Sequence, residues 1–309
     1  MKGEDFVLEA PVFKKGNFVL NFPKAIAEFE SIIKNLPVRK ILYRTVFRGK
    51  GLEFDSYRPF GPDDDADLID WAASLRANEL IAREYIEERD LNVYFLVDVS
   101  NSMLFGSNDR LKAEYVAELV ASIGHLVLHS GDRIGLVMFS DDVVKFVKAS
   151  GNRNQFPLFT KFLSDSNLYG GGFNIDKAID MVLKTTKSDY TVFIVVSDFV
   201  HVHRRNERSL KLLGARFETM ALMVRDPMDD NLPDFKYQLS ISDPYSSKQL
   251  LLDPGVASGK YRETVLFHRN VLEDIFKKSQ VDYLELLTDK SFTVPFVSFL
   301  KSRAGGKRG

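Results

Sequence analysis

The run from Val93 to Ser102 constrains this chain more than any other stretch. Val93, Tyr94, Phe95, Leu96 and Val97 are apolar, β-branched or aromatic, with no polar residue between them. A strand without polar alternation is buried on both faces, which requires helices above and below its sheet. Asp98, Ser100 and Ser102 follow at alternate positions. In an open α/β sheet, ligands bind outside the carboxyl ends of the strands. Three hard oxygen side chains there suit Mg2+ or Mn2+. They equally suit a turn that caps the following helix. The triplet alone leaves both readings open.

The pattern around this strand repeats it. Arg110 to His129 reads as a helix with Leu111, Tyr115, Leu119, Ile123 and Val127 on one face, closed by Gly131. Ile134 to Phe139 and Tyr190 to Ser197 read as further buried strands, the second followed by Asp198. Val143 to Val147 reads as a short edge or hairpin strand, and Asn154 to Ser164 as a helix. Gly170, Gly171 and Gly172 form a loop, and Asn174 caps a helix carrying Ile175, Ala178, Ile179, Val182 and Leu183. Arg204 to Leu213 reads as a helix stopped by Gly214, and Phe217 to Val224 as a strand. Tyr237–Ile241 and Gln249–Leu252 read as an inserted hairpin. A helix over Thr264–Ser279, a strand over Val281–Leu287 and a helix over Thr293–Ser302 complete the pattern. Strands alternating with helices predict an α/β fold with a doubly wound, mostly parallel sheet.

The N-terminal third differs. Ile26, Phe29, Ile32, Ile33 and Leu36 form a helical stripe ended by Pro37, predicting a small amphipathic helix packed on the main body. Lys34, Arg39, Lys40, Arg44, Arg48 and Lys50 give the following segment a basic bias, read as a solvated face. Asp63, Asp64, Asp65, Asp67 and Asp70 crowd around Trp71, the single tryptophan, between Arg58 and Arg76. The glycine and closing glutamate of an EF-hand are missing. An ordered clasp is expected, with the acids accepting backbone N–H groups and the arginines, and with Ile69 and Trp71 as apolar anchors. Residues 77–90 look helical, with alternating charges on an outer face. The expected organisation is an N-terminal extension over 1–90, an α/β domain over 91–302 with a β insertion at about 226–259, and a disordered tail over 303–309.

Bulk composition excludes several classes. Lys and Arg number 42 against 43 Asp and Glu, a net charge of −1, so no global field favours nucleic acid. Without cysteine there are no disulfides and no Cys-ligated metal sites. No apolar run reaches membrane-span length, and Met1 to Phe22 lacks a secretory core. These features predict a soluble, cytoplasmic protein. His125 and His129 lie four apart, but Leu126 replaces the glutamate of a zinc-protease motif. His201 and His203 read as a polar rim after Asp198. The glycine loop lacks the Lys-Ser or Lys-Thr of a phosphate loop, and no serine sits in a nucleophile-elbow context.

Two stretches carry a resemblance. Asp98-x-Ser100-x-Ser102, Asp132 to Phe139, the glycine loop and Val196-Ser197-Asp198 look like a von Willebrand factor A domain. Arg58-x-x-x-Pro62-x-Asp64-Asp65-x-x-x-Ile69-Asp70-Trp71, with Ser74 and Arg76, is similar to the signature of the DUF58 family, whose members carry such a domain. Asp63 stands where that family has glycine, and Asp67 where it often has arginine. The resemblance covers roughly residues 45–300. It implies a metal-ion-dependent adhesion site in which two serines and a threonine coordinate Mg2+ while two acids act through water. Asp98, Ser100, Ser102 and Asp198 match that pattern. Phe173 stands at the threonine position, with Asn174 next in the chain as a substitute ligand. The expectation is therefore a weak Mg2+ or Mn2+ site. The resemblance implies a non-enzymatic protein-interaction module, an adaptor for a MoxR-type AAA+ ATPase. The rivals are a metal-dependent hydrolase using Asp98 and Asp198, with His201 as base, and a metal-free scaffold.

Overall fold

A computed structural model describes residues 18–33, 53–62, 64–86, 90–187, 190–232, 239–242 and 249–304 of the protein. The apolar run forms β3 (Asn92–Asp98), after a separate two-stranded sheet of β1 (Glu53–Pro59) and β2 (Ile81–Ile86). β3 lies between β4 (Arg133–Phe139) and β6 (Thr191–Ser197) and is parallel to both. β7 (Glu218–Arg225) and β10 (Asp282–Leu287) extend the sheet beyond β6, also in parallel. β5 (Val143–Ser150) closes the other side as the antiparallel edge strand. The order is β10-β7-β6-β3-β4-β5.

Successive side chains of a strand point to opposite faces. Val93, Phe95 and Val97 accordingly join one core layer, under α1 (Phe22–Ile33), α3 (Lys112–His129), α4 (Gln155–Ser164) and α9 (Thr293–Ala304). Tyr94 and Leu96 join the other, under α5 (Ile175–Thr185), α6 (Glu207–Arg216) and α8 (Pro254–Lys278). Helices on both faces are why the strand needs no polar alternation. The N-terminal helix α1 packs on the body as expected. Phe29 is fully buried and meets the rings of Phe292 and Phe296 at 5.8 and 5.7 Å. The inserted hairpin is also present, as antiparallel β8 (Leu239–Ser242) and β9 (Gln249–Leu252). Among the described residues, no helix is long and apolar enough to cross a membrane.

Three expectations need correction. Residues 81–86 are a strand, not part of a helix over 77–90. The helix there is α2 (Trp71–Ala77), ended by Asn78 in the left-handed conformation at φ 57°. The chain then reverses, and β2 pairs antiparallel with β1. Gly214 does not stop α6, which continues to Arg216. A Cβ at Gly214 would lie 2.1 Å from the Ser279 carbonyl oxygen, so the glycine serves close approach of two elements. α8 starts at Pro254, ten residues before Thr264. Asp253 caps it by accepting from the Gly255 N–H, and Pro254 suits the first turn. The basic positions Lys34 to Lys50 and residues 305–309 of the expected tail lie outside the described residues.

Candidate functional site at the carboxyl edge of the sheet

β3 and β6 run in parallel register and end side by side, which brings Asp98 and Asp198 to one edge although 100 positions separate them in the chain. Asp98 is fully buried. Its Oδ1 accepts from the Ser100 N–H at 2.9 Å, and its Oδ2 accepts from the Ser197 hydroxyl at 2.6 Å. The Ser100 and Ser102 hydroxyl oxygens lie 3.2 Å apart and are both buried. Burial, with the Asp198 charge adding to it, pushes the Asp98 carboxyl up to about 7.

The glycine loop is laid directly against this turn. The Gly170 N–H donates to Val99 O at 2.7 Å, the Gly171 N–H to Asn101 Oδ1 at 3.1 Å, and the Asn101 N–H to Gly171 O at 3.0 Å. Gly170 and Gly171 have φ of 124° and 88°, a region that only glycine enters at low cost. The Gly172 N–H donates to Asp141 Oδ2 at 2.5 Å, so close that a Cβ would overlap that carboxylate.

The two residues after the glycines are engaged elsewhere. The Phe173 ring packs against Phe139 and His201, with centroids at 5.8 and 5.9 Å. Asn174 is the N-cap of α5, and its side chain accepts from the Lys177 N–H at 3.2 Å. His203 meets the ring of His268, and His125 and His129 stack on each other, with His125 beside Glu30 on α1.

Asp198 has a partner that sequence reading missed. Lys112, the first residue of α3, is buried and donates from Nζ to Asp198 Oδ2 at 2.7 Å and to Asp229 Oδ2 at 3.0 Å. Asp198 Oδ1 accepts from the Val200 N–H at 3.1 Å. Asp229 belongs to α7 (Pro227–Asp230), the turn after β7, where it also accepts from the Asp226 N–H. Asp226 is itself buried and accepts from the Ser107 N–H at 2.8 Å. Burial drives the Asp198 carboxyl upward, but the Lys112 ammonium, the Val200 N–H and the Arg225 guanidinium outweigh it and hold its pKa below the usual value. Burial works against the Lys112 ammonium too, yet Asp198 and Asp229 keep its pKa above that of an ordinary lysine. Burial raises Asp229 despite Lys112. One signal for Lys112 was available. A cation opening a helix opposes the helix dipole and calls for acid partners. Asp226 and Asp229 likewise show capping-box spacing around Pro227.

Asp98, Ser100, Ser102 and Asp198 are hard oxygen donors of the kind a small divalent cation takes. They fit such an ion weakly. The threonine position holds an aromatic ring, and Asp198 is already neutralised by an ammonium. Among the described residues, no three His, Asp or Glu side chains gather as a metal-holding set.

The acidic signature near the N-terminus is ordered by its own contacts. Arg58 grips Asp64 with both Nη atoms, at 2.5 and 2.6 Å, and Asp64 Oδ2 also accepts from the Gly61 N–H at 2.7 Å. Asp65 caps the short turn Ala66–Leu68. Asp70 caps α2 by accepting from the Ala73 N–H at 2.9 Å, and it also receives the Tyr57 hydroxyl and Arg83 Nε. Arg76 donates to the Ala72 carbonyl of its own helix. Trp71 is not the buried anchor expected: it is 65% exposed. As the first residue of α2 it faces outward, and Ala73 and Ala82 take the interior positions.

The pattern of the DUF58 family, described as proteins of unknown function, matches residues 56–269, which hold both this signature and the sheet edge. The chain belongs to the DUF58 family. Relatives described as uncharacterized proteins of Mycobacterium bovis and Mycobacterium tuberculosis are 25% identical to this DUF58 chain over 261 residues, covering 84% of it and 81% of each relative. The crystal structure of the conserved hypothetical protein BatB from Bacteroides thetaiotaomicron is similar in fold. Its TM-score is 0.50 at 16% identity, over 70% of this chain and 100% of that one. The sheet order and its likeness agree in describing a von Willebrand factor A-like fold.

Proposed function

We propose that this DUF58 protein is a protein-interaction module whose partner docks on the carboxyl edge of the sheet, with a MoxR-type AAA+ ATPase as that partner. One observation carries the reading. Asp98, Ser100, Ser102 and Asp198 converge where three loops meet, those after β3, before α5 and after β6, and ligands of open α/β sheets bind there. Asp98, Ser100, Ser102 and Asp198 would hold a weakly bound Mg2+ or Mn2+, and Asn174 would add an oxygen only through the second lone pair of the Oδ1 that caps α5. A bound cation would supply an electrophilic position for an acidic group of the partner. The choice of ATPase rests on the family resemblance, whose members are often encoded beside such enzymes. The metal-free scaffold is the second reading, favoured by the Phe173 ring and by Lys112 on Asp198.

The test is binding of the purified MoxR-type ATPase from the same organism to immobilised wild-type protein and to the Ser100→Ala/Ser102→Ala variant, in Mg2+ and in EDTA. Loss of binding in the variant and in EDTA supports a cation-dependent face. Loss in the variant alone supports the scaffold reading. Undiminished binding in both puts the docking surface elsewhere.

A further inference from the structure

Lys112 is out of place by the ordinary rules of helices. Its side chain is 2% exposed, and it opens α3, where the backbone already presents positive charge. A buried ammonium at that position persists only with anionic partners. Lys112 has two, from two other elements: Asp198 after β6 and Asp229 after β7. The Phe105 ring lies 5.7 Å from its Nζ. A second buried cation, Arg225 at the end of β7, acts electrostatically on Asp198, and its Nε has no hydrogen-bond partner among the described residues. Lys112 and Arg225 together bring two positive charges to the acidic edge, the charge of one divalent ion. Both oxygens of Asp198 are engaged, one by Val200 and one by Lys112.

We propose that Lys112 is the resident cation of this edge: its ammonium neutralises Asp198 and ties the α7 turn to the sheet, and a divalent ion gains Asp198 only in competition with it. The inference deepens the cation-site reading above and rests on it for the competition. The assembly of α3, β6 and α7 around one ammonium stands apart from any metal.

Two measurements test it. The first is isothermal titration of wild type and Lys112→Met with Mn2+ alone. Removing a like charge beside the ion relieves its repulsion, so Lys112→Met is expected to bind Mn2+ roughly tenfold or more tighter. The second is the urea midpoint of Lys112→Met with and without Asp198→Asn. A lone buried carboxylate is destabilising, so Lys112→Met lowers the midpoint and Asp198→Asn raises it again. Soluble protein recovered only in the double variant is the same rescue. Where the wild type binds Mn2+, equal or weaker binding in Lys112→Met overturns the competition and with it the proposal. Absence of rescue, including failure of both variants to fold, overturns it as well. If neither protein binds Mn2+ but rescue is seen, the cation-site reading fails and Lys112 stands as the edge's own cation.

Discussion

Lys112 Nζ lies 2.7 Å from Asp198 Oδ2 across 86 residues of sequence, and the pair is almost fully closed to solvent. It joins the first turn of α3 to the end of β6, the two elements that flank the Asp98 turn. The edge where a partner is proposed to dock is therefore held by a charge pair of the chain itself. A complete metal-ion-dependent site would leave that acid to the ion.

Phe173 is the other departure at this edge. Its ring rests on Phe139 and His201. Phe173→Thr replaces that ring with a hydroxyl at the position where the family resemblance expects the third ligand and should tighten Mn2+ binding, because Mg2+ and Mn2+ sites gain from each well-placed oxygen. Titration of both proteins with Mn2+ checks it. Unchanged affinity would mean that the loop after Gly172 does not approach the ion.

Phe29 should contribute as much as a residue of the main sheet. It comes from α1 but is fully buried against Phe292 and Phe296. Phe29→Ala should cost about 3–5 kcal/mol in urea unfolding, the usual range for such a truncation. A loss below about 1 kcal/mol would show that α1 is dispensable to the core.

Trp71 should behave in the opposite way. At 65% exposure its truncation to alanine should change stability by no more than about 0.5 kcal/mol. Equilibrium urea unfolding followed by circular dichroism decides this. A loss of several kcal/mol would mean that a packing surface covers the ring in solution.

The same tryptophan reports on the acidic signature. Arg58 lies beside Asp64 and holds its carboxyl near 2, against an ordinary 3.8. A depressed carboxylate stabilises the folded form above its unfolded pKa, and that contribution is lost as the pH falls through the folded value. Trp71 fluorescence should therefore show an acid transition between about pH 4 and pH 2. Asp64→Asn should flatten its pH dependence, leaving the part due to Asp70, which is held down by the Ala73 N–H and by Arg83. Identical profiles in the two proteins would rule out the Asp64 contribution.

Gly214 separates two roles of glycine. In a helix interior, alanine is ordinarily better by about 1 kcal/mol. Here a Cβ meets the Ser279 carbonyl oxygen at 2.1 Å, so Gly214→Ala should instead destabilise, by about 1–3 kcal/mol as overpacking does. A rise in melting temperature would show that α6 shifts freely away from the end of α8.

The layered sheet was legible in the sequence because a doubly covered strand has few alternatives. Val93 to Val97 admits no solvent face, and the helices between the strands carry clear apolar stripes, so element order followed from periodicity alone. Asp98, Ser100 and Ser102 were legible as the end of that strand, and Asp198 joined them through the family resemblance; the parallel pairing of β3 and β6 is what brings the two acids to one edge. Residues 81–86 were misread because alternating charges serve an exposed helix and a two-stranded sheet equally well. Pairing with β1 decides between them, and pairing is a tertiary fact. Trp71 was misread because hydrophobicity does not reveal which side of a helix faces inward. The outcome depended on Asp70 taking the cap and Ala73 and Ala82 filling the interior. Lys112 and Asp229 lie 117 positions apart, and no spacing rule joins them. Only the packed structure, which shuts Lys112 away from water and partly covers Asp229, so that the buried ammonium requires the carboxylate, made them part of one site.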